Sequence, residues 1–153
     1  MSSVKPIPEG YHSVTPYLIV KGGAKAIEFY KQAFGATELG RMAAPDGRIG
    51  HAEIQIGNSR IMLADEFPEM DARGPESFGG TPVMIHLYVE DVDAVAKQAT
   101  AAGARELRPV KDQFYGDRSG MFADPFGHKW NISTHKEDLS AEEIGKRAAA
   151  AGH

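Results

Sequence analysis

The chain has 153 residues, 42% hydrophobic and 25% charged, enough to bury one ordinary globular core and too few for two independent domains of usual size. Its net charge is -4 and its Lys and Arg residues are scattered, which argues against nucleic acid or an anionic membrane as partner and leaves a small molecule as the expected ligand. No run reaches the roughly 20 apolar residues of a membrane helix, Met1 to His12 lacks the zones of a signal peptide, and cysteine is absent, so disulfides, thiolate metal sites and Cys nucleophiles are excluded and a cytoplasmic location is expected.

The first structural signal is alternation. Val14, Pro16, Leu18 and Val20 fall on one side of an extended run, with Thr15, Tyr17 and Ile19 on the other, which predicts a strand with one face on a core. AKAIEFYKQAF follows, with Ala26, Tyr30, Ala33 and Phe34 at helical spacing and Gly35 where a left-handed cap is wanted. ATELGRM, RIGHAEIQI and SRIMLAD read as three strands, divided by Pro45-Asp46-Gly47 and by Gly57-Asn58. Residues 66–82, EFPEMDARGPESFGGTP, are rich in Pro, Gly and acids and are expected as a loop. That loop is either a lid carrying Phe67, Met70 and Phe78 over a cleft or a solvated linker.

A second series begins at VMIHLYV, Val83 to Val89. Val83, Ile85, Leu87 and Val89 are assigned to the core face, so Met84, His86 and Tyr88 share the other. A helix with Val92, Val95, Ala99 and Ala102 on one face is capped by Gly103, and further strands follow. YGDRSG, Tyr115 to Gly120, offers Arg118 to an anionic ligand and Tyr115 to stack on a ring; the plainer reading is a turn stabilised by Asp117 and Arg118. FADPFGHKWNIS, Phe122 to Ser133, turns at Asp124, Pro125 and Gly127 and puts Trp130 in the core and Asn131 on the opposite face. Ser140 and Glu143 stand at capping-box spacing and predict a helix over Ala141 to Ala149, which Leu139 and Ile144 would dock on the domain or on a second subunit.

The two series are copies of one pattern. KQAFGATEL at Lys31 to Leu39 is echoed by KQATAAGAREL at Lys97 to Leu107, and Val20 matches Val89, Gly35 matches Gly103, Gly50 matches Gly120 and Gly57 matches Gly127 at nearly constant offset. Propensity alone does not hold four anchors in register. The expected organisation is one domain over 1–153, with module one at about 12–66, a linker at 67–82, module two at about 83–135 and a C-terminal helix within 140–150.

Units opening on TPYLIV and HLYVEDVDAV, a helix containing EFYKQAFGA and a closing DPFGHKWNISTH resemble the vicinal oxygen chelate superfamily, which includes glyoxalases, bleomycin-resistance proteins, fosfomycin-resistance enzymes and extradiol dioxygenases. The resemblance spans Val14 to His135, and YGDRSGMFADPFGHKWNISTH is most similar to its PhnB-like subgroup. It implies an α+β fold in which tandem βαβββ modules form a curved mixed sheet around a cleft, the glyoxalase/bleomycin resistance fold, with ligands inside and often a homodimer.

Enzymes of that superfamily hold a divalent metal on four strand positions, usually His and Glu, and use it as a Lewis acid or to activate dioxygen. Carried onto this chain, the positions fall on Thr15, Ile61 (Met62 or Leu63 after a small shift), Met84 and Asn131. None is His or a carboxylate, and such a set would hold Zn²⁺, Mn²⁺ or Fe²⁺ poorly, so no cofactor is expected there.

Polar groups nonetheless line the non-core faces. His51, Glu53 and Gln55 alternate with Ala52, Ile54 and Ile56; Asn131, Ser133 and His135 form a similar row; and Tyr17 is the repeat partner of His86. One reading is a metal-free binding protein whose Tyr17, Met84, His86, Tyr88, Asn131 and Arg118 hold a flat or amphipathic small molecule, as bleomycin-resistance proteins sequester drugs. The alternative is a lyase, isomerase or dioxygenase-type enzyme, working through a divalent metal on a shifted set, His51, Glu53 and His86, or through His86 as general base. No phosphate-binding glycine loop or serine nucleophile elbow is present.

Overall fold

The computed structural model describes residues 3–153, so Met1 and Ser2, which open the stretch read for a leader, lie outside it. Two compact units meet between Gly80 and Thr81, inside the expected linker. In the first, β1 (Tyr17–Val20), α1 (Gly23–Phe34), β2 (Thr37–Ala43), β3 (Ile49–Ile56) and β4 (Ser59–Asp65) follow in sequence. The sheet order is β1-β4-β3-β2, with β1 parallel to β4 and the other pairs antiparallel.

Segment 66–82 is more structured than its composition suggested. It contains a 3₁₀ turn at Pro68–Met70 and a four-residue helix, α2 (Pro75–Phe78), each started by a proline that has no N–H to leave unpaired. Glu66 ties it down by accepting from Gly74 N–H and Ser77 Oγ, while Met70 and Phe78 stay exposed.

The second unit repeats the first. It comprises β5 (Met84–Tyr88), α3 (Val92–Ala102), β6 (Arg105–Asp112), β7 (Asp117–Ala123) and β8 (Lys129–His135), in the order β5-β8-β7-β6 with β5 parallel to β8. A last helix, α4 (Ala141–Ala150), starts at Ser140, whose Oγ accepts from Glu143 N–H. The anchors coincide with equivalent places: Gly35 and Gly103 cap α1 and α3 with positive φ, and Gly57 and Gly127 sit in the turns before β4 and β8. This is the expected α+β arrangement of tandem βαβββ modules, seen as two four-stranded mixed sheets each with its crossover helix.

Each crossover helix covers one face of its own sheet. Ala26, Ile27, Tyr30 and Ala33 of α1 are buried with Leu18, Val20, Ile54 and Leu63, and Val92, Ala96 and Ala99 of α3 with Phe122, Trp130 and Ile132. Two strand starts differ from expectation. Val14 is 85% exposed, because Pro16 has no N–H and the β1 ladder begins only at Tyr17; Val83 is likewise exposed, its N–H taken by Thr81 Oγ1 ahead of β5.

One polar side chain per unit ties the last strand to the start of the crossover helix. Asp65, at the end of β4, accepts from the backbone N–H of Gly22 and Gly23 through Oδ1 (2.8 and 2.9 Å) and from Ile49 N–H through Oδ2 (2.8 Å). Gly23 is where the carboxylate comes closest: a Cβ there would lie 2.8 Å from Asp65 Oδ2 and from Ile49 Cβ. In the second unit Thr134 of β8 does the corresponding work, its Oγ1 accepting from Val92 N–H and donating to Val89 O. Asp124 organises the turn before β8 in the same manner, accepting from Phe126 N–H, His128 N–H and Trp130 Nε1–H. Trp130 is therefore a core residue with its ring nitrogen satisfied.

Asp65→Ala strands three backbone donors in a buried or half-buried site, and the expected loss is about 3–5 kcal/mol of unfolding free energy by chemical denaturation. Asp65→Asn keeps the shape but turns an amide NH₂ toward one set of N–H groups, so it should recover only part of that loss. A penalty under about 1 kcal/mol for the alanine variant would show that the clamp does not hold the crossover.

Candidate functional site

Because the helices cover one face of each sheet, the other face of each is where chemistry can be displayed. In the first unit that face carries Tyr17 and Ile19 of β1, His51, Glu53 and Gln55 of β3, and Arg60 and Met62 of β4, as the alternating burial of these strands requires. Tyr17 Oη lies 2.9 Å from His51 Nδ1, within hydrogen-bond distance. Glu53 Oε1 accepts from the Tyr11 hydroxyl, and the Arg60 guanidinium sits over the Tyr11 ring, 4.8 Å from its centroid. Burial raises the Tyr17 phenol above its usual value; burial, then Glu53, does the same for Tyr11. Both phenols therefore stay protonated, and Tyr11 donates to Glu53.

In the second unit the open face comes from Met84, His86 and Tyr88 of β5, Asn131 and Ser133 of β8, and Ser119 and Met121 of β7, in the cross-strand rows Tyr88–Ser133–Ser119 and His86–Asn131–Met121. The Asn131 amide nitrogen is 3.0 Å from His86 Nδ1 and donates to it, so the proton of the neutral ring is on Nε2. The His86 and Tyr88 rings are 4.6 Å apart. Met84 and Tyr88 are 53% and 58% exposed, high for large side chains on the face of a sheet. Asp117, buried at the start of β7, accepts from Tyr88 Oη (2.8 Å) and faces His135 Nδ1 (2.7 Å), while His135 Nε2 is 2.7 Å from Asp138.

A concavity of about 330 Å³ opens on the same face toward β6, lined by Arg108, Lys111, Phe114, Tyr115, Met121 and Asn131 among others. His153 reaches it from the end of the chain, its ring 4.9 Å from that of Phe114. Of the expected ligand residues only Asn131 lines it, with Tyr17 lying in the first unit and Met84, His86 and Tyr88 farther along the open face of the second. Tyr115, singled out as a ring-stacking group, is there. Arg118 is not: it lies on the helix-bearing face of β7, where Asp93 of α3 takes its guanidinium through two hydrogen bonds (2.8 and 3.0 Å) and Asp112 adds a third. Nor is YGDRSG a plain turn: Asp117 to Gly120 already belong to β7, and Asp117 and Arg118 bond residues outside the segment, Asp117 to Tyr88 and His135 and Arg118 to Asp93 and Asp112.

The standard metal positions do not gather metal ligands. Thr15 precedes β1, Ile61 is 4% exposed and faces the α1 core, and Met84 pairs across the ladder with Lys129. The open-face place assigned to Ile61 belongs to Met62, which lies opposite Tyr17 and Glu53. A hydroxyl, a thioether and an amide do not fit a divalent ion that prefers imidazole and carboxylate. As for the shifted set, His51 and Glu53 belong to the first unit, with a closest N–O approach of 3.9 Å, and His86 to the second. Among the described residues no three His, Asp or Glu side chains come together as a metal site.

Arg108, Lys111, Phe114 and Met121 were not singled out from sequence. The two cations stand three residues apart, a spacing that in a regular strand places side chains on opposite faces, so no periodicity marks them.

His135 supplies a pH test. Both ring nitrogens can donate to their carboxylate neighbours only when the ring is protonated, and Asp117 first, then Asp138, raises its pKa above the usual 6.5 or so. A group raised in the folded state stabilises it fully below its unfolded pKa, and that stabilisation disappears as pH climbs through the folded value. The urea midpoint should therefore fall as pH rises above about 6.5, and His135→Gln should flatten that dependence. A His135→Gln profile parallel to the parent's would remove His135 as its source.

The fold agrees with comparisons to known proteins. The sequence profile of the Glyoxalase/Bleomycin resistance protein/Dioxygenase superfamily matches residues 10–132. The Mycobacterium bovis protein Mb0911c is 43% identical over 143 residues, covering 92% of this chain and 94% of the relative. Among solved structures, protein PA1353 of Pseudomonas aeruginosa superposes with a TM-score of 0.66 at 25% identity, covering 82% of this chain and 99% of that one. TioX of Micromonospora sp. ML1 gives 0.64 at 25% identity, covering 84% and 100%.

Proposed function

Because the chain belongs to the glyoxalase/bleomycin resistance protein/dioxygenase superfamily, we propose that it is a small-molecule-binding member which takes its ligand on the open face of the second sheet without the superfamily's standard metal set. One observation carries this reading: exposed Met84 and Tyr88 flank an imidazole oriented by Asn131, beside a concavity that Asn131 also lines. Adaptable thioether and aromatic surface around a few fixed polar groups is the usual make-up of a ligand site. Within the superfamily, the likeness of YGDRSGMFADPFGHKWNISTH supports a PhnB-like member, and a homodimer is the working form that membership of this superfamily suggests.

The His86 geometry favours binding over proton removal. With Nδ1 accepting from Asn131, the free nitrogen Nε2 carries the proton and presents a donor, whereas a general base needs a lone pair aimed at the substrate. The metal-dependent enzyme reading would need at least three His, Asp or Glu ligands together, and no such group is found among the described residues.

Nile red, a neutral dye, should bind with enhanced fluorescence, and Met84→Ala combined with His86→Ala should weaken it by about three- to tenfold. An unchanged titration would remove the central residues from the site. Elemental analysis of protein purified without chelator is expected to find no stoichiometric divalent metal. Near-stoichiometric zinc, manganese or iron would instead restore the metal-dependent alternative.

A further inference from the structure

β6 is irregular in a way that concentrates charge. Its sequence RELRPVKD puts Arg105, Arg108 and Lys111 three apart, yet all three stand opposite Ala123, Met121 and Ser119 of β7, which are two apart and share one face. Two register shifts, between Glu106 and Arg108 and between Arg108 and Lys111, make this possible, each absorbing one extra residue of β6. Gly120 accommodates the second: a Cβ there would lie 2.8 Å from Val110 Cγ2 and 3.1 Å from Arg108 O. Bulges thus turn a row that a regular strand would split onto the open face.

The row is not neutralised. Nearby acids are committed elsewhere, Asp112 to Arg118 and Glu137 to Arg147, and among the described residues Arg108 and Lys111 form no ion pair. Lys129 adds a cation to the same face, whereas its one buried acid, Asp117, already serves Tyr88 and His135. In a chain of net charge -4 this is a local reversal of sign. Both free cations line the concavity, with Phe114 and Tyr115 packed edge to face at 5.2 Å beside them. On the same face, opposite Ser119, the buried Ser133 hydroxyl has no hydrogen-bond partner among the described residues.

We propose that Arg108 and Lys111 form an oxyanion subsite, so that the ligand of this face is a small molecule with an aromatic or planar body and a carboxylate or phosphate group. The anion takes the Arg108 fork and the Lys111 ammonium, the planar body lies against Phe114, Tyr115 and Met121, and Asn131 bounds the site toward His86. A volume near 330 Å³ suits a ligand of that size and not a polyanion. The proposal rests on the reading that this face holds a small molecule, and adds the charge and class of the ligand.

Calorimetric titration of the full chain with benzoate, phenyl phosphate and neutral benzamide tests it. Benzoate or phenyl phosphate should bind at least about tenfold more tightly than benzamide, and the tighter of the two identifies the group. Arg108→Gln and Lys111→Gln should each remove about tenfold of that affinity, and added salt should weaken the parent more than either variant. Both positions are exposed, and unchanged thermal melts would show that the variants fold. The proposal is overturned if benzamide binds as well as benzoate, if both variants bind like the parent, if neither anion binds at millimolar concentration, or if a single-stranded oligonucleotide binds more tightly than either. Nile red separates the two levels: dye binding that survives while anion preference is absent removes the oxyanion subsite alone, and dye binding that fails removes the underlying site.

Discussion

The closing side chain of each βαβββ unit is the constraint on which the rest depends. A parallel pair such as β1 and β4 needs a crossover, and a crossover needs the strand end, the turn and the helix start held in one geometry. Asp65 does this with three backbone donors from two turns, and Thr134 does it with one donor and one acceptor. Both act where unpaired N–H groups at a helix start would otherwise be costly. With the crossover set, the helix lies over one sheet face, and the other face is left for function.

What that face displays follows from the period of a strand. Residues alternating with the core must look outward, so Ile85 and Leu87, in register with the buried Trp130 and Ile132, oblige Met84, His86 and Tyr88 to face away. The first unit answers with Tyr17, His51 and Glu53, whose hydrogen bonds run through Tyr11 and Tyr17. Each unit therefore combines exposed apolar surface with polar groups already oriented by a neighbour, a pattern that suits recognition, where preorganised groups lose little on binding. In the second unit the bulged edge strand adds positive charge.

Much of this was legible in the sequence because the information is local. The repeat, the helix faces, the caps at Gly35 and Gly103, the core role of Trp130 and the outward set of β5 all follow from periodicity and turn chemistry. What escaped depends on register. Ile61 and Met62 are adjacent and both apolar, and only the pairing of β4 with β1 shows that Met62 faces outward. Arg118 looked available because its partner, Asp93, is 25 residues away on α3. The β6 cations stayed invisible because two bulges override the strand period. Pro75 and Glu66 organise segment 66–82 through contacts that its composition, typical of a loop, does not reveal.

The central claim, that the helix-free face of the second sheet is the binding surface, is tested most directly by mapping amide chemical shifts of the labelled protein during titration with benzoate. The account predicts saturable shifts at Arg108, Lys111, Phe114, Tyr115, Met121 and Asn131, with α3 and the first unit little changed. Shifts centred on α3, on the first unit, or spread evenly without saturation would contradict it.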